Sequence, residues 1–173
     1  MIPNLEKTVN LCLTKKHPFA LFSLPGSNTV QFHLQLSKNT GLSDNNKISD
    51  LHGFVIAPFH VNKISDLHLI APDRSSKNIA KDAAYIESLT TLDPIESDDT
   101  RHSSNPITKS AYMELIENTK AIMEKNDMQK IVISRTMQMK GERAKLAGIF
   151  NNLIQTYPNA FRYLAYLPTY GCW

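Results

Sequence analysis

The sequence predicts an α+β fold, a sheet with flanking helices around one core. Two observations carry this. Val30, Phe32, Leu34 and Leu36 alternate with Gln31, His33 and Gln35, the period of a strand with one buried face. Leu146, Ile149, Phe150, Leu153, Ile154 and Tyr157 instead recur at helical spacing and stop at Pro158, as an amphipathic helix requires.

In chain order, Leu5, Val9, Cys12 and Leu13 form a short apolar stripe behind Asn4, an expected N-cap, and Pro18 closes that helix. Residues 19–24 are apolar, and Pro25-Gly26-Ser27-Asn28 supplies the turn that folds them back on 30–36 as a hairpin. A polar loop, 37–47, follows. Residues 53–58 and 67–72 are two further short strands, each stopped by a proline. Both are preceded by the same heptapeptide, Asn-Lys-Ile-Ser-Asp-Leu-His, at 46–52 and 62–68. The repeat is too short and too few for a solenoid, and reads as two similar strand approaches or a local duplication.

Residues 73–106 turn polar and are expected to form a flexible loop, with one helical turn near 83–89. Tyr112, Leu115, Ile116, Thr119, Ile122 and Met123 then stripe a helix that Thr108 can cap. Residues 129–136 form a β-branched strand, with Lys130, Val132, Ser134 and Thr136 on one face and Ile131, Ile133, Arg135 and Met137 on the other. After the helix ending at Pro158, residues 161–167 form a strand, 168–171 turn, and Cys172 and Trp173 begin its return. The chain is expected to be truncated within that element, since a half-built hairpin exposes its amides and carbonyls.

Composition bounds the function. At 173 residues, 42% hydrophobic and 20% charged, the chain suits a single soluble domain spanning 1–173. The net charge of +3 is spread along the chain, which argues against nucleic acid as a partner. No apolar run approaches the roughly 18 residues of a membrane span, and Met1-Ile2-Pro3-Asn4 does not open a signal peptide. Cys12 and Cys172 lack metal or disulfide spacing, so a cytoplasmic location is expected. His52, His60 and His68 are evenly spaced but have no converging carboxylate, and the six glycines make no phosphate loop. Asp98-Asp99 reads as solvated loop. Arg135 is expected to be structural, paired with a carboxylate.

One ordered set of pieces is more specific: a helix, then Met128-Gln129-Lys130-Ile131-Val132-Ile133-Ser134-Arg135, a helix ending Tyr157-Pro158-Asn159-Ala160, a strand, and Gly171-Cys172-Trp173. This order resembles the isochorismate synthases of the chorismate-utilising enzymes, most closely over 108–173. Gly53-Phe54-Val55-Ile56-Ala57-Pro58-Phe59 resembles an N-terminal strand of the same enzymes. The resemblance implies a partial chorismate-utilising (aminodeoxychorismate synthase-like) fold, mostly antiparallel, although strand–helix alternation by itself fits a mixed sheet equally. It implies chorismate as substrate and Lys130 as the general base for water attack at C2. The anthranilate-type relatives usually carry glutamine there.

A lysine serves as a base near neutral pH only where burial or nearby positive charge makes it shed its proton. The resemblance also implies Mg²⁺, with its ligands and the general acid lying beyond Trp173, so this chain alone is expected to be inactive. Its parent would feed menaquinone or siderophore synthesis. Salicylate synthase, an anthranilate synthase-like enzyme and a non-enzymatic module binding through the hairpin edge are the alternatives. An open sheet edge and apolar face also predict self-association.

Overall fold

The computed structural model describes residues 2–93, 107–135 and 145–173. The chain divides into two compact units: residues 1–98 with 142–173, and residues 99–141.

The first unit is built on a five-stranded sheet. Its strands are β1 (Phe19–Ser23), β2 (Gln31–Leu34), β5 (Arg74–Ser76), β6 (Arg162–Leu167) and β7 (Gly171–Cys172). Their spatial order is β5-β2-β1-β6-β7, antiparallel at every pairing. Two further strands, β3 (Phe54–Ile56) and β4 (His68–Ile70), pair as a separate antiparallel ribbon. The architecture is thus mixed α+β and mostly antiparallel. The hairpin, the two proline-stopped strands and the return at β7 all form where the sequence places them. The return continues through reciprocal bonds between Ala165 and Trp173, at 3.1 and 2.9 Å.

Strand register explains why both faces of the sheet carry buried apolar residues. Phe19, Leu21, Phe32, Leu34 and Leu164 share one face and pack with Leu5, Val9 and Cys12 of α1 (Leu5–Lys15), Ile79 and Ile86 of α2 (Ile79–Ser88) and Phe150 of a third helix, Leu146–Thr156. Ala20, Ala165 and Leu167 point the other way, onto Phe54 and Ile70 of the β3–β4 ribbon. Gln35, expected on a wet face, is therefore buried. It remains favourable because every polar group finds a partner: Oε1 accepts from Ala71 N at 2.7 Å, and Nε2 donates to the Ser37 and Asn39 carbonyls at 3.0 and 2.7 Å. His33 sits half-buried, edge-on to Phe22 at 5.0 Å.

The loop expected over 73–106 is corrected in its first part. Arg74–Ser76 is the edge strand β5 and Ile79–Ser88 is the ten-residue helix α2. Polarity misled because the residues that anchor this stretch are charged: Asp82, fully buried, accepts from Arg74 Nε at 2.8 Å, and the Arg74 guanidinium lies 4.3 Å over the Tyr85 ring. Residues 94–106, with Asp98 and Asp99, lie outside the described residues. Asn4 also departs from expectation. It precedes α1 with φ 57° and makes no capping bond through its side chain, which donates instead to Ala80 O of α2 at 3.3 Å.

The second unit contains α3 (Lys109–Lys125), capped as expected by Thr108 Oγ1 accepting from Ala111 N at 3.2 Å. Its apolar stripe buries no residue. The helix of Leu146–Thr156, in the first unit, is α4. No helix among the described residues is long and apolar enough to cross a membrane.

Candidate functional site

Lys130 is positioned by the way α3 ends. Asn126 is its C-cap, Asp127 takes the left-handed conformation at φ 51°, and Met128 N donates back to Met123 O at 3.1 Å. This is the Schellman arrangement, which closes the last turn and throws the chain away from the helix axis. An aspartate tolerates that backbone because its short polar side chain bonds locally.

The strand expected at 129–136 is corrected over its described part. Residues 129–135 have neither helix nor strand pairing, and Thr136 and Met137 lie outside the described residues. A β-branched run becomes a strand only when a neighbour takes up its amides and carbonyls; none does here among the described residues. Lys130 is exposed, Val132 is 80% exposed, and Ile133 is half-buried. Among the described residues Lys130 has no hydrogen-bond or ion-pair partner. Arg135 was expected to meet a carboxylate, and among the described residues none pairs with it; its guanidinium lies 5.3 Å over the Tyr112 ring.

Two of the open clefts among the described residues of the first unit carry polar side chains. One, about 680 Å³, runs between α1 and α4 past Lys7, Asn10, Asn151 and Asn152. The other, about 360 Å³, lies at the end of the sheet between Pro58, Phe59, His68, Tyr170 and Trp173. The His68 ring lies 4.7 Å from that of Tyr170 and burial lowers its proton affinity below the usual histidine range. Neither cleft pairs a nucleophile with a base. No three His, Cys, Asp or Glu side chains among the described residues converge to hold a metal ion. His52 and His60 are exposed and distinct from His68 in setting, His60 lying edge-on to Phe59. Cys12 is buried in α1, where desolvation and the nearby Asp82 carboxylate push its thiol strongly up and keep it protonated, and Cys172 is exposed in β7.

Sequence reasoning missed Arg162, the cation with the most hydrogen bonds among the described residues. It is 3% exposed, and its guanidinium donates to Ile154 O, Ser23 Oγ, Leu24 O and Ser27 O at 2.8–3.2 Å. These bonds tie the end of α4 to the β1–β2 turn, and Gly26 N reinforces them by donating to Pro158 O at 2.9 Å. Strand parity was the available signal, since Arg162 falls on the face of Leu164 and Tyr166. His17 was likewise unmarked. Its buried ring contacts two carbonyls, Gln35 O and Thr90 O.

Comparison with protein-family models, with curated proteins and with solved structures finds no match to this chain.

Proposed function

We propose that this chain is the N-terminal part of a chorismate-binding enzyme of the isochorismate synthase type, working in the cytoplasm. The observation that carries the reading is the order of pieces: a Thr108-capped helix, the Lys130 segment, a helix closing on Tyr157-Pro158-Asn159-Ala160, β6, and the antiparallel return through Gly171 and Trp173. The uncovered β-branched residues around Lys130 support it, because such a segment is suited to receive a further strand from the rest of the protein.

In this reading Lys130 takes a proton from water as the water adds to C2 of chorismate. The ring double bonds shift, and the C4 hydroxyl leaves as water with a proton from an acid outside residues 1–173. Covering Lys130 is a requirement of the chemistry, since water exclusion is what makes an amine an effective base. Mg²⁺ would supply electrostatic stabilisation of the substrate carboxylates, and its ligands are assigned to the remainder of the enzyme.

The test uses the full coding region with chorismate and Mg²⁺. Isochorismate formation that falls at least about a hundredfold in Lys130→Ala, as loss of a general base does, is the expected result. Unchanged turnover in that variant overturns the assignment of Lys130, and absence of a chorismate-dependent product overturns the class. Salicylate as the final product would place the protein with the similar salicylate synthases, and anthranilate with the ammonia-using branch.

A second reading is favoured by the exposure of Lys130 and of Leu115 and Ile122 on α3: a non-enzymatic binding module, or one that self-associates through these apolar residues. Concentration-dependent light scattering together with no chorismate binding would select it.

A further inference from the structure

We propose that the cleft at the end of the sheet binds a small quaternary ammonium compound, of the choline type, among the rings of Phe59, Tyr170 and Trp173. These three aromatic side chains line one cleft and are all left open to solvent: Phe59 is 96% exposed, Trp173 56% and Tyr170 52%. Apolar side chains exposed singly are ordinary, but several gathered around a concave site mark a surface that is covered when something binds. At about 360 Å³ the cleft has the size of a small-ligand site.

Paired strands hold the walls. Tyr170 and Trp173 flank the β6–β7 return, where Tyr170 N donates to Leu167 O at 3.0 Å and Trp173 exchanges both backbone bonds with Ala165. The His68 ring, 4.7 Å from that of Tyr170, is carried by β4, which pairs with β3 at Ile56. Ile56 and Leu167 add apolar lining. Rings set on such elements need little ordering when a ligand arrives, which lowers the cost of binding.

Charge selects the ligand. Asp66 has the one formally charged side chain among the described residues of the lining, and its charge is negative. Burial lowers the proton affinity of His68, so its ring adds no opposing charge near neutral pH. Lys63, the cation nearest Asp66 in sequence, acts on the Asp44 carboxylate and does not line the cleft. Aromatic faces attract a cation through their quadrupole and form no strong hydrogen bond with it. Asp66 Oδ2 is already taken up by Asn62 N and Lys63 N at 2.9 and 3.1 Å. A primary ammonium would therefore give up water that this lining replaces poorly, whereas a trimethylated one has no N–H to satisfy.

Trp173 is the only tryptophan of the chain, so its fluorescence reports this cleft directly. Titrating the chain with choline chloride near neutral pH, at constant ionic strength, should give a saturable change. The neutral isostere of choline, in which carbon replaces nitrogen, and ethanolamine, which keeps the charge without the methyl groups, should each bind at least about tenfold more weakly. Phe59→Ala removes a ring that is almost wholly exposed and should weaken choline about fivefold with the fold unchanged. Asp66→Asn keeps an oxygen for the turn, removes the charge and should weaken choline by a similar factor. No saturable response to choline, equal affinity for either control compound, or unchanged affinity in Phe59→Ala overturns the proposal. A fluorescence change on concentrating the chain without choline would assign the rings to a second copy and overturn it as well. If Asp66→Asn disturbs the turn, the comparison of the three compounds on the unaltered chain decides whether charge matters.

Discussion

The two copies of Asn-Lys-Ile-Ser-Asp-Leu-His make an internal experiment. Both fold the same way locally: Ile48–Asp50 and Ile64–Asp66 are each one 3₁₀ turn, and Leu51 N and Leu67 N donate to the isoleucine carbonyls at 3.2 and 3.0 Å. Beyond that turn they part. In the first copy residues 46–50 are exposed, Leu51 is half-covered, and His52 lies outside any strand. In the second, Leu67 is 5% exposed and His68 opens β4, paired with Ile56. The second turn has further ties, two within the copy and one from outside it. Asp66 Oδ2 accepts from Asn62 N and Lys63 N at 2.9 and 3.1 Å, and Asp44 Oδ1 accepts from Ser65 N at 2.8 Å. Seven residues thus determine a turn, while their neighbours determine whether it is buried and whether a strand follows.

Substitutions that exchange the two settings should separate them. The largest effect is expected just after the first copy, where Gly53 has φ 143° and stands where the second copy has Leu69. A Cβ there would lie 2.4 Å from Ile70 O. Gly53→Ala should therefore destabilise by about 3 kcal/mol through strain and a backbone clash, read from urea denaturation; a change below about 1 kcal/mol would mean the ribbon shifts easily.

Leu67→Ala should cost about 2–3 kcal/mol as a buried cavity, and Leu51→Ala less than about 1, by the same measurement. Equal costs would show that burial does not distinguish the copies. Asp66→Ala should cost about 1 kcal/mol through the loss of two backbone donors' partner, while Asp50→Ala stays within about 0.5.

The smallest effect concerns acid. The Ser65 bond lowers the Asp44 carboxyl below its usual range. The order this gives the second copy is present above the ordinary carboxylate range and is lost as pH falls through the lowered value. Amide protection at Ser65 should fall there, and Asp44→Asn should remove that dependence.

The same division between local and distant causes decides how much of the molecule could be read in advance. The β1–β2 hairpin, the β3–β4 strands, α4 with its stop at Pro158 and the Thr108 cap were legible because each is signalled by residues next to one another. Lys130 was legible as a residue type after a helix, and its local setting follows from the Schellman turn at Asn126 and Asp127. The exposure of Lys130 was not legible, since pairing of 129–135 depends on a partner strand that no local pattern specifies.

By itself, then, the sequence determined the turns, the Thr108 cap, the stop of α4 before Pro158 and the period-two hairpin, because hydrogen bonds and sterics across three or four residues suffice for them. Only the tertiary structure decided that Gln35 is buried, that Arg74 and Asp82 bring a polar stretch into the fold, and that His17 meets two carbonyls from distant segments. It also left the Lys130 segment unpaired among the described residues. Burial and pairing are properties of surfaces brought together over tens of residues, and the periodicity of one segment carries no information about what will lie against it.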